Sequence, residues 1–406
     1  PRWDGYLRDG GRGVGTRNHV AVVALTASAS PTIAPLRTRW AEHEPGAGST
    51  DSDADGAFDG VRIVAHTEGE AAGPVQHNAE LIHRCLAGFL CHPNVGAAVL
   101  VTTGREKHIT IDTLLDYVRA KNDEAEKAGR PPVYAPQCYR EPHVQFVRTS
   151  SHAGETMRLL DGAVLEAVRL AKAGSGRVPC PLSALNIALQ CGGSDSFSGL
   201  CGNPLTGAVA ERLIKEHGGR AILAESPELV GSEPYILSRV SNEETARKFI
   251  RTTENYKEYG ARHSLSVAGN PSGGNLYRGL YNIVLKSLGA ARKKPPGIAL
   301  DLVLEHGEPM NSHGHEPRYA FMDSPGNDLE SIAGQVACGC NIIIFITGNG
   351  SMTNFPFAPT IKVVTTDRRY NMIKDDMDVN AGVILNKNHS IEEVGQTIYN
   401  LILIIC

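Results

Sequence analysis

Asn186-Ile187-Ala188-Leu189-Gln190-Cys191-Gly192-Gly193-Ser194-Asp195 joins a short apolar run to an abrupt polar, glycine-bearing stop. A run of that length bounded by glycines reads as a strand buried on both faces. The same grammar recurs downstream. Residues 220–225 run into Ser226-Pro227-Glu228, residues 319–323 into Ser324-Pro325-Gly326, and residues 341–347 into Gly348-Asn349-Gly350-Ser351. Residues 360–365 read as a further strand. Helical periodicity is expected over 207–217, 275–288, 329–337 and 391–403. Alternating strands and helices predict a mostly parallel sheet covered by helices.

Working back from that stretch, the first half repeats the rhythm on a smaller scale. Residues 18–25, 61–65 and 97–101 are expected as strands, 75–88 and 109–121 as helices. The Gly-, Ser- and Asp-rich residues 46–60 are expected to form a surface loop. Composition changes at Ala173-Gly174-Ser175-Gly176-Arg177-Val178-Pro179. The predicted fold class is therefore α/β with two domains, a smaller α/β domain over 1–178 and a larger one over 179–406.

Composition limits the function. The 406 residues are 41% apolar and 21% charged with a net charge of −4, an ordinary globular balance without a basic face for nucleic acid or anionic lipid. The longest aliphatic runs are far too short to span a bilayer, and Pro1-Arg2-Trp3-Asp4 lacks a secretory pattern. Nine cysteines in a chain this large are expected as reduced thiols in a cytoplasm.

Polar residues gather at the predicted carboxyl ends of the strands, where open parallel sheets bind ligands. Nucleotide binding is the obvious rival. Gly10-Gly11-Arg12-Gly13-Val14-Gly15 precedes its strand instead of linking strand to helix, so the dinucleotide fingerprint fails in context. Pro356 and Pro359 oppose a long helix after Gly348-Asn349-Gly350, and no Walker-type lysine occurs.

These motifs resemble the altronate/galactarate dehydratase family of sugar-acid hydro-lyases, whose relatives include sulfolactate sulfo-lyases. The resemblance rests on Gly5-Tyr6-Leu7-Arg8-Asp9-Gly10, Gly15-Thr16-Arg17-Asn18-His19, His66-Thr67-Glu68-Gly69 and His92-Pro93-Asn94-Val95. It is strongest at residues 190–199 with Asn203-Pro204. It continues through Glu225-Ser226-Pro227-Glu228, Asn270-Pro271-Ser272, Lys286-Ser287-Leu288-Gly289, Phe321-Met322-Asp323-Ser324-Pro325-Gly326, Pro359-Thr360-Ile361-Lys362 and Asp376-Met377-Asp378-Val379-Asn380. It implies iron-dependent dehydration of a sugar acid, a C-terminal Rossmann-like domain of unusual topology, a homodimer contact in the first half, and a small β-rich domain that is either fused or a separate subunit. Where family members commonly carry cysteine, this chain has Thr26-Ala27-Ser28, Gly69-Glu70 and Thr103-Gly104-Arg105-Glu106, and where some members carry a fourth it has Asn380-Ala381-Gly382.

Dehydration removes the proton beside a carboxylate and expels the neighbouring hydroxyl. Both steps call for nearby positive charge. Cys191, Asp195, Glu225 and Asp323 are the candidate ligands of a divalent metal, with Fe2+ expected from the mixed sulfur and oxygen donors and from the resemblance. His66 is a further ligand candidate from the first half. Lys362, His66 and Glu228 are alternative general bases. Arg17 or Lys362 would pair with the substrate carboxylate, and Gly192, Gly193, Ser194, Asn203, Asn270, Gly348, Gly350 and Ser351 would line the substrate site. Plainer readings stand beside these: Cys191 as a buried thiol, Asp195 and Asp323 as helix caps, and His66 as a hydrogen-bonded structural residue. Three functions compete: a sugar-acid dehydratase, a sulfo-lyase releasing sulfite, and a non-catalytic subunit of a two-subunit lyase.

Overall fold

The structure is a computed structural model and describes residues 2–40, 58–174, 176–313, 317–386 and 389–406. Most of the expected 46–60 loop lies outside the described residues. A hairpin of β1 (Arg2–Arg8) and β2 (Gly13–Gly15) comes first. Its turn holds Gly10 and Gly11 at φ of 67° and 79°, a region glycine enters without steric penalty. The glycine-rich motif is thus a turn.

β3 (His19–Ala24), β4 (Val61–Val64), β5 (Val95–Thr102) and β6 (Val144–Arg148) form a parallel sheet in the order β4-β3-β5-β6. After the helix Ala153–Ala173, β7 (Val178–Pro181) returns to pair antiparallel with β1. β8 (Asn186–Gly192), β9 (Arg220–Ala224), β10 (Leu302–Leu304), β11 (Tyr319–Met322), β12 (Ile342–Thr347), β13 (Thr360–Val364) and β14 (Val379–Asn380) form the large sheet. All its pairs are parallel, in the order β10-β11-β9-β8-β12-β13-β14. β11 is inserted between β9 and β10, and the order reverses between β8 and β12.

Side-chain alternation divides the core into layers. Leu189, Ile344 and Ile346 face the helices Asn203–His217 and Ile391–Ile405, through Leu205, Val209 and Ile398. Ala188, Ile343 and Phe345 face the opposite way. There they share one apolar layer with Leu86, Val336 and the Val23 and Leu100 side chains of the small sheet. The helices Ala79–Cys91 and Asp328–Ala337 fill that layer between the two sheets. The far side of the small sheet is closed by Leu160, Val164 and Ala167 of the helix Ala153–Ala173. Each fully buried aliphatic side chain of this kind is worth about 1.5–3 kcal/mol.

One expected helix is corrected. Residues 275–288 are two helices, Gly273–Tyr277 and Ile283–Ala291. Gly279 at φ 91° breaks the first, and the Asn282 side chain starts the second by accepting from the Leu285 N–H at 3.0 Å. All nine cysteines are free thiols. Among the described residues no helix is long and apolar enough to cross a membrane.

Candidate active site

Beyond the carboxyl ends of β8, β9 and β11, ionisable side chains meet in a buried cluster. Cys191, on the face of β8 opposite Gln190, has its Sγ 2.9 Å from Lys293 Nζ. Lys293 is fully buried. Burial works against its charge, but Cys191, Glu225 and Glu228 outweigh it and hold the pKa above that of an ordinary lysine. Burial pushes the Cys191 thiol up, while the Lys293 charge works the other way.

Glu225 ends β9 in the left-handed region, at φ 75° and ψ 84°. A non-glycine residue held there stores about 1–3 kcal/mol, which the surrounding structure must offset. Its N–H donates to Ser324 Oγ at 3.0 Å, which anchors the turn to the end of β11. Burial, then repulsion from Glu228, raises the Glu225 pKa well above the usual carboxylate range. The protonated form of the Glu225 carboxyl is thereby favoured. Glu228 is paired with Lys286 Nζ at 2.7 Å, and Asn270 bridges the two, accepting from Lys286 at 2.6 Å and donating to Glu228 at 3.3 Å. Glu225 Oε2 and Glu228 Oε2 are both buried without a hydrogen-bond partner among the described residues.

Gln190 organises the other face. Its amide nitrogen donates to Asp328 Oδ1 at 3.0 Å and also reaches Glu225, while its oxygen accepts from Ser331 Oγ at 2.8 Å. Burial raises the Asp328 pKa. Gly192 is required here, because a Cβ would lie 2.1 Å from Asp328 Oδ2.

The remaining candidates fall in different places. Asp195 does not join the cluster. Its carboxylate accepts from the Ser198 N–H at 2.7 Å, Ser198 Oγ at 3.0 Å and Thr365 Oγ1 at 2.9 Å, and so starts the next helical turn. Asp323 accepts from Ser226 Oγ beside Glu225. Among the described residues no three His, Cys, Asp or Glu side chains stand close enough to hold a metal, so Cys191, Asp195, Glu225 and Asp323 are not one ligand set. Gly193 lies against Asn349 and Gly348 against Asp195. The Ser194 carbonyl accepts from Asn275 at 2.8 Å, and Asn203 donates to the Gly289 carbonyl at 3.0 Å. Gly350 and Ser351 donate their N–H groups to Thr347 Oγ1 at 3.0 and 2.9 Å, closing the turn after β12.

Lys362 and Arg17 are also elsewhere. Both line an open groove of about 550 Å³ with Asp59, Asp376 and Asp378, and Arg17 donates to the Thr16 and Ile405 carbonyls. The lysine inside an apolar strand thus reaches a polar groove instead of the core. His66 belongs to the small sheet. Its Nε2 meets the Ala24 carbonyl at 2.9 Å, its Nδ1 accepts from the Glu68 N–H at 3.2 Å, and burial lowers its pKa. The first-half stretches Thr26-Ala27-Ser28, Gly69-Glu70 and Thr103-Gly104-Arg105-Glu106 follow β3, β4 and β5 and carry no thiol.

Sequence reasoning missed Lys293, Lys286, Asp328 and Gln190 as site residues. Lys286 and Gln190 stood inside the motifs. Arg292-Lys293-Lys294 looks like a solvated basic run and offers no signal. Lys293 and Lys294 are buried while Arg292 is exposed, and Gly207 lets the backbone approach: a Cβ there would lie 2.6 Å from the Arg292 carbonyl oxygen.

At the end of the small sheet, Glu106 binds the loop after β5. It accepts from Thr102 Oγ1 at 2.7 Å and from the N–H groups of Thr103 and Arg105 at 2.9 and 3.0 Å. Burial opposes ionisation, but these bonds, led by that from Thr102, hold the pKa near 2. A depressed carboxyl adds stability above its unfolded pKa and loses it as pH falls towards the folded value. Glu106→Gln should therefore lower stability by about 1 kcal/mol at pH 7. Urea midpoints should show the gap to wild type narrowing below about pH 4.5; a gap constant with pH would count against the charged brace.

Comparison with known proteins matches these elements to one family. Residues 182–406 match the D-galactarate/altronate dehydratase C-terminal domain, and residues 5–156 match the second domain of D-galactarate dehydratase/altronate hydrolase. The chain is 32% identical over 328 residues to the altronate dehydratase of Bacillus subtilis, covering 80% of this chain and 60% of that protein's length. It is 26% identical over 374 residues to the altronate dehydratase of Escherichia coli, covering 92% and 68%. It is 27% identical over 403 residues to the (2R)-sulfolactate sulfo-lyase subunit beta of Chromohalobacter salexigens, covering 98% and 91%. The chain belongs to the D-galactarate/altronate dehydratase family.

Proposed function

We propose that this chain dehydrates a polyhydroxy sugar acid of the altronate or galactarate type to a 2-keto-3-deoxy acid. The observation that supports it best is that the buried Glu225 carboxyl, its pKa raised, shares one cluster with the buried Lys293 and the Glu228–Lys286 pair. Glu228 takes the proton from the carbon next to the substrate carboxylate. Lys293 and Lys286 stabilise the enediolate that forms. Glu225 delivers its proton to the neighbouring hydroxyl as the C–O bond breaks, so water leaves and the enol relaxes to the ketone. Asn270 and Gln190 hold Glu228 and Glu225 in place.

Dependence on a divalent cation, Fe2+ first, belongs to the same proposal. Among the described residues no three His, Cys, Asp or Glu side chains stand close enough to hold such an ion, so substrate oxygens would have to take part in holding it. When bound it would draw charge from the enediolate and the leaving oxygen. Homodimer assembly and a separate small β-rich subunit are carried with it, and light scattering of the purified protein checks both.

The test is anaerobic purification with added Fe2+ and a panel of aldonic and aldaric acids, read by 2-keto-3-deoxy product. Turnover of one acid, abolished in Glu225→Gln, is the expected result. Release of sulfite from a sulfolactate instead would establish the second reading, which the sulfo-lyase similarity favours. No turnover of either class would leave the non-catalytic subunit.

A further inference from the structure

The small sheet carries a crevice of its own. In the order β4-β3-β5-β6 the chain leaves β3 for β4 on one side and returns to β5 on the other, so the order reverses between β3 and β5. Parallel α/β sheets bind ligands outside the strand carboxyl ends at such a reversal. An open groove of about 630 Å³ lies there, walled by Ser28 after β3, Glu70 after β4, Thr103 and Arg105 after β5, and Arg148 and Ser150 at the end of β6.

The lining decides which ligand would suit it. The two carboxylates are already committed to backbone N–H groups. Glu70 accepts from Lys107, His108 and Ile109, each at 2.7 Å, and Glu106 accepts from Thr103 and Arg105. They shape the loop and have little capacity left for a cation. The arginines are the opposite case. The Arg105 side chain is exposed and makes no hydrogen bond or ion pair among the described residues. Among the described residues the Arg148 guanidinium makes a single bond, to the Gly104 carbonyl at 3.2 Å. Gly104, at φ 68°, is what seats it, since a Cβ would lie 2.0 Å from Arg148 Nε. Two guanidinium groups with spare donors, ringed by the Ser28, Thr103 and Ser150 hydroxyls, match an anion rich in oxygen.

We propose that this groove is a second binding site, separate from the buried cluster, for a small oxygen-rich anion bearing a carboxylate or phosphate. The inference does not depend on the chemistry at Lys293. It is tested on the full chain carrying Lys293→Met, which slows turnover at the buried cluster, by calorimetric titration with galactarate in one arm and inorganic phosphate in the other, the groove's share being the binding that Arg105→Met removes. Saturable binding of one probe is expected, and the arm that responds identifies the anion. Adding Arg105→Met should weaken it at least about tenfold, or about 1.4 kcal/mol. Gly104→Ala, which displaces Arg148 without removing a charge, should weaken it as well. Arg105 is exposed, so its variant is expected to fold, and a thermal melt verifies this. No binding of either probe, or affinity unchanged within about twofold in Arg105→Met, would overturn the proposal.

Discussion

Lys293→Met is expected to lower turnover of the sugar acid by about 10²–10³-fold, the usual loss when a group stabilising a developing oxyanion is removed. The loss should appear in kcat more than in KM, because the ammonium matters most once charge has built up on the enediolate. The same change should cut stability. Glu225, Glu228 and Asp328 all feel the Lys293 charge or share its cluster. Breaking a buried charge arrangement by removing one partner typically costs about 3–5 kcal/mol. The carboxyls left behind are less unfavourable when protonated, so the destabilisation should be smaller at pH 5 than at pH 8. Urea unfolding at the two pH values checks this. Turnover within twofold of wild type, with product still formed, would remove Lys293 from the mechanism.

Gly88→Ala is expected to destabilise the protein, although the same change in an open helix stabilises it. Replacing glycine by alanine in a helix interior gains about 1 kcal/mol. At Gly88, in the helix Ala79–Cys91, the new Cβ would lie 2.4 Å from the Ala337 carbonyl oxygen and 2.8 Å from its Cα. Both are backbone atoms and cannot turn aside. Overpacking of this kind costs about 1–3 kcal/mol, so the clash outweighs the propensity gain. Gly162→Ala is the matched control. It sits in the helix Ala153–Ala173 with nothing within 4 Å of its Cβ position, and a stabilisation of about 0.5–1 kcal/mol is expected there. Equal shifts in the two variants would refute the close approach of the helices Ala79–Cys91 and Asp328–Ala337.

Much of the framework was legible because its signals are local. The run 341–347 is almost all Ile and Phe between polar ends, and a segment that short buries every side chain only as a central strand. The glycine-rich hairpin could be separated from a nucleotide loop by its position before the strand. The helix over 275–288 was misjudged for a local reason too: Gly279 and the Asn282 cap weigh more than apolar periodicity across a short span. β6 and the helices Ala153–Ala173 and Glu243–Arg262 were not anticipated, being moderately apolar segments whose burial comes from their neighbours.

The site divides along the same line. Cys191, Glu225 and Glu228 were recognisable as polar residues at strand ends, a placement that the strand pattern alone determines. Their partners were not, because Lys293 lies 102 positions from Cys191, and Lys286 reaches Glu228 from another segment. Asp195 shows the limit most clearly. Next to a glycine turn it reads equally well as ligand or cap, and Thr365, 170 positions away, occupies its carboxylate. The sequence by itself determined a parallel α/β framework and which residue types stand at its strand ends, since those follow from periodicity and turn chemistry. The tertiary structure alone decided which of those side chains share a buried charge cluster, because desolvation and Coulomb energy depend on spatial distance, and chain separation carries almost no information about that distance.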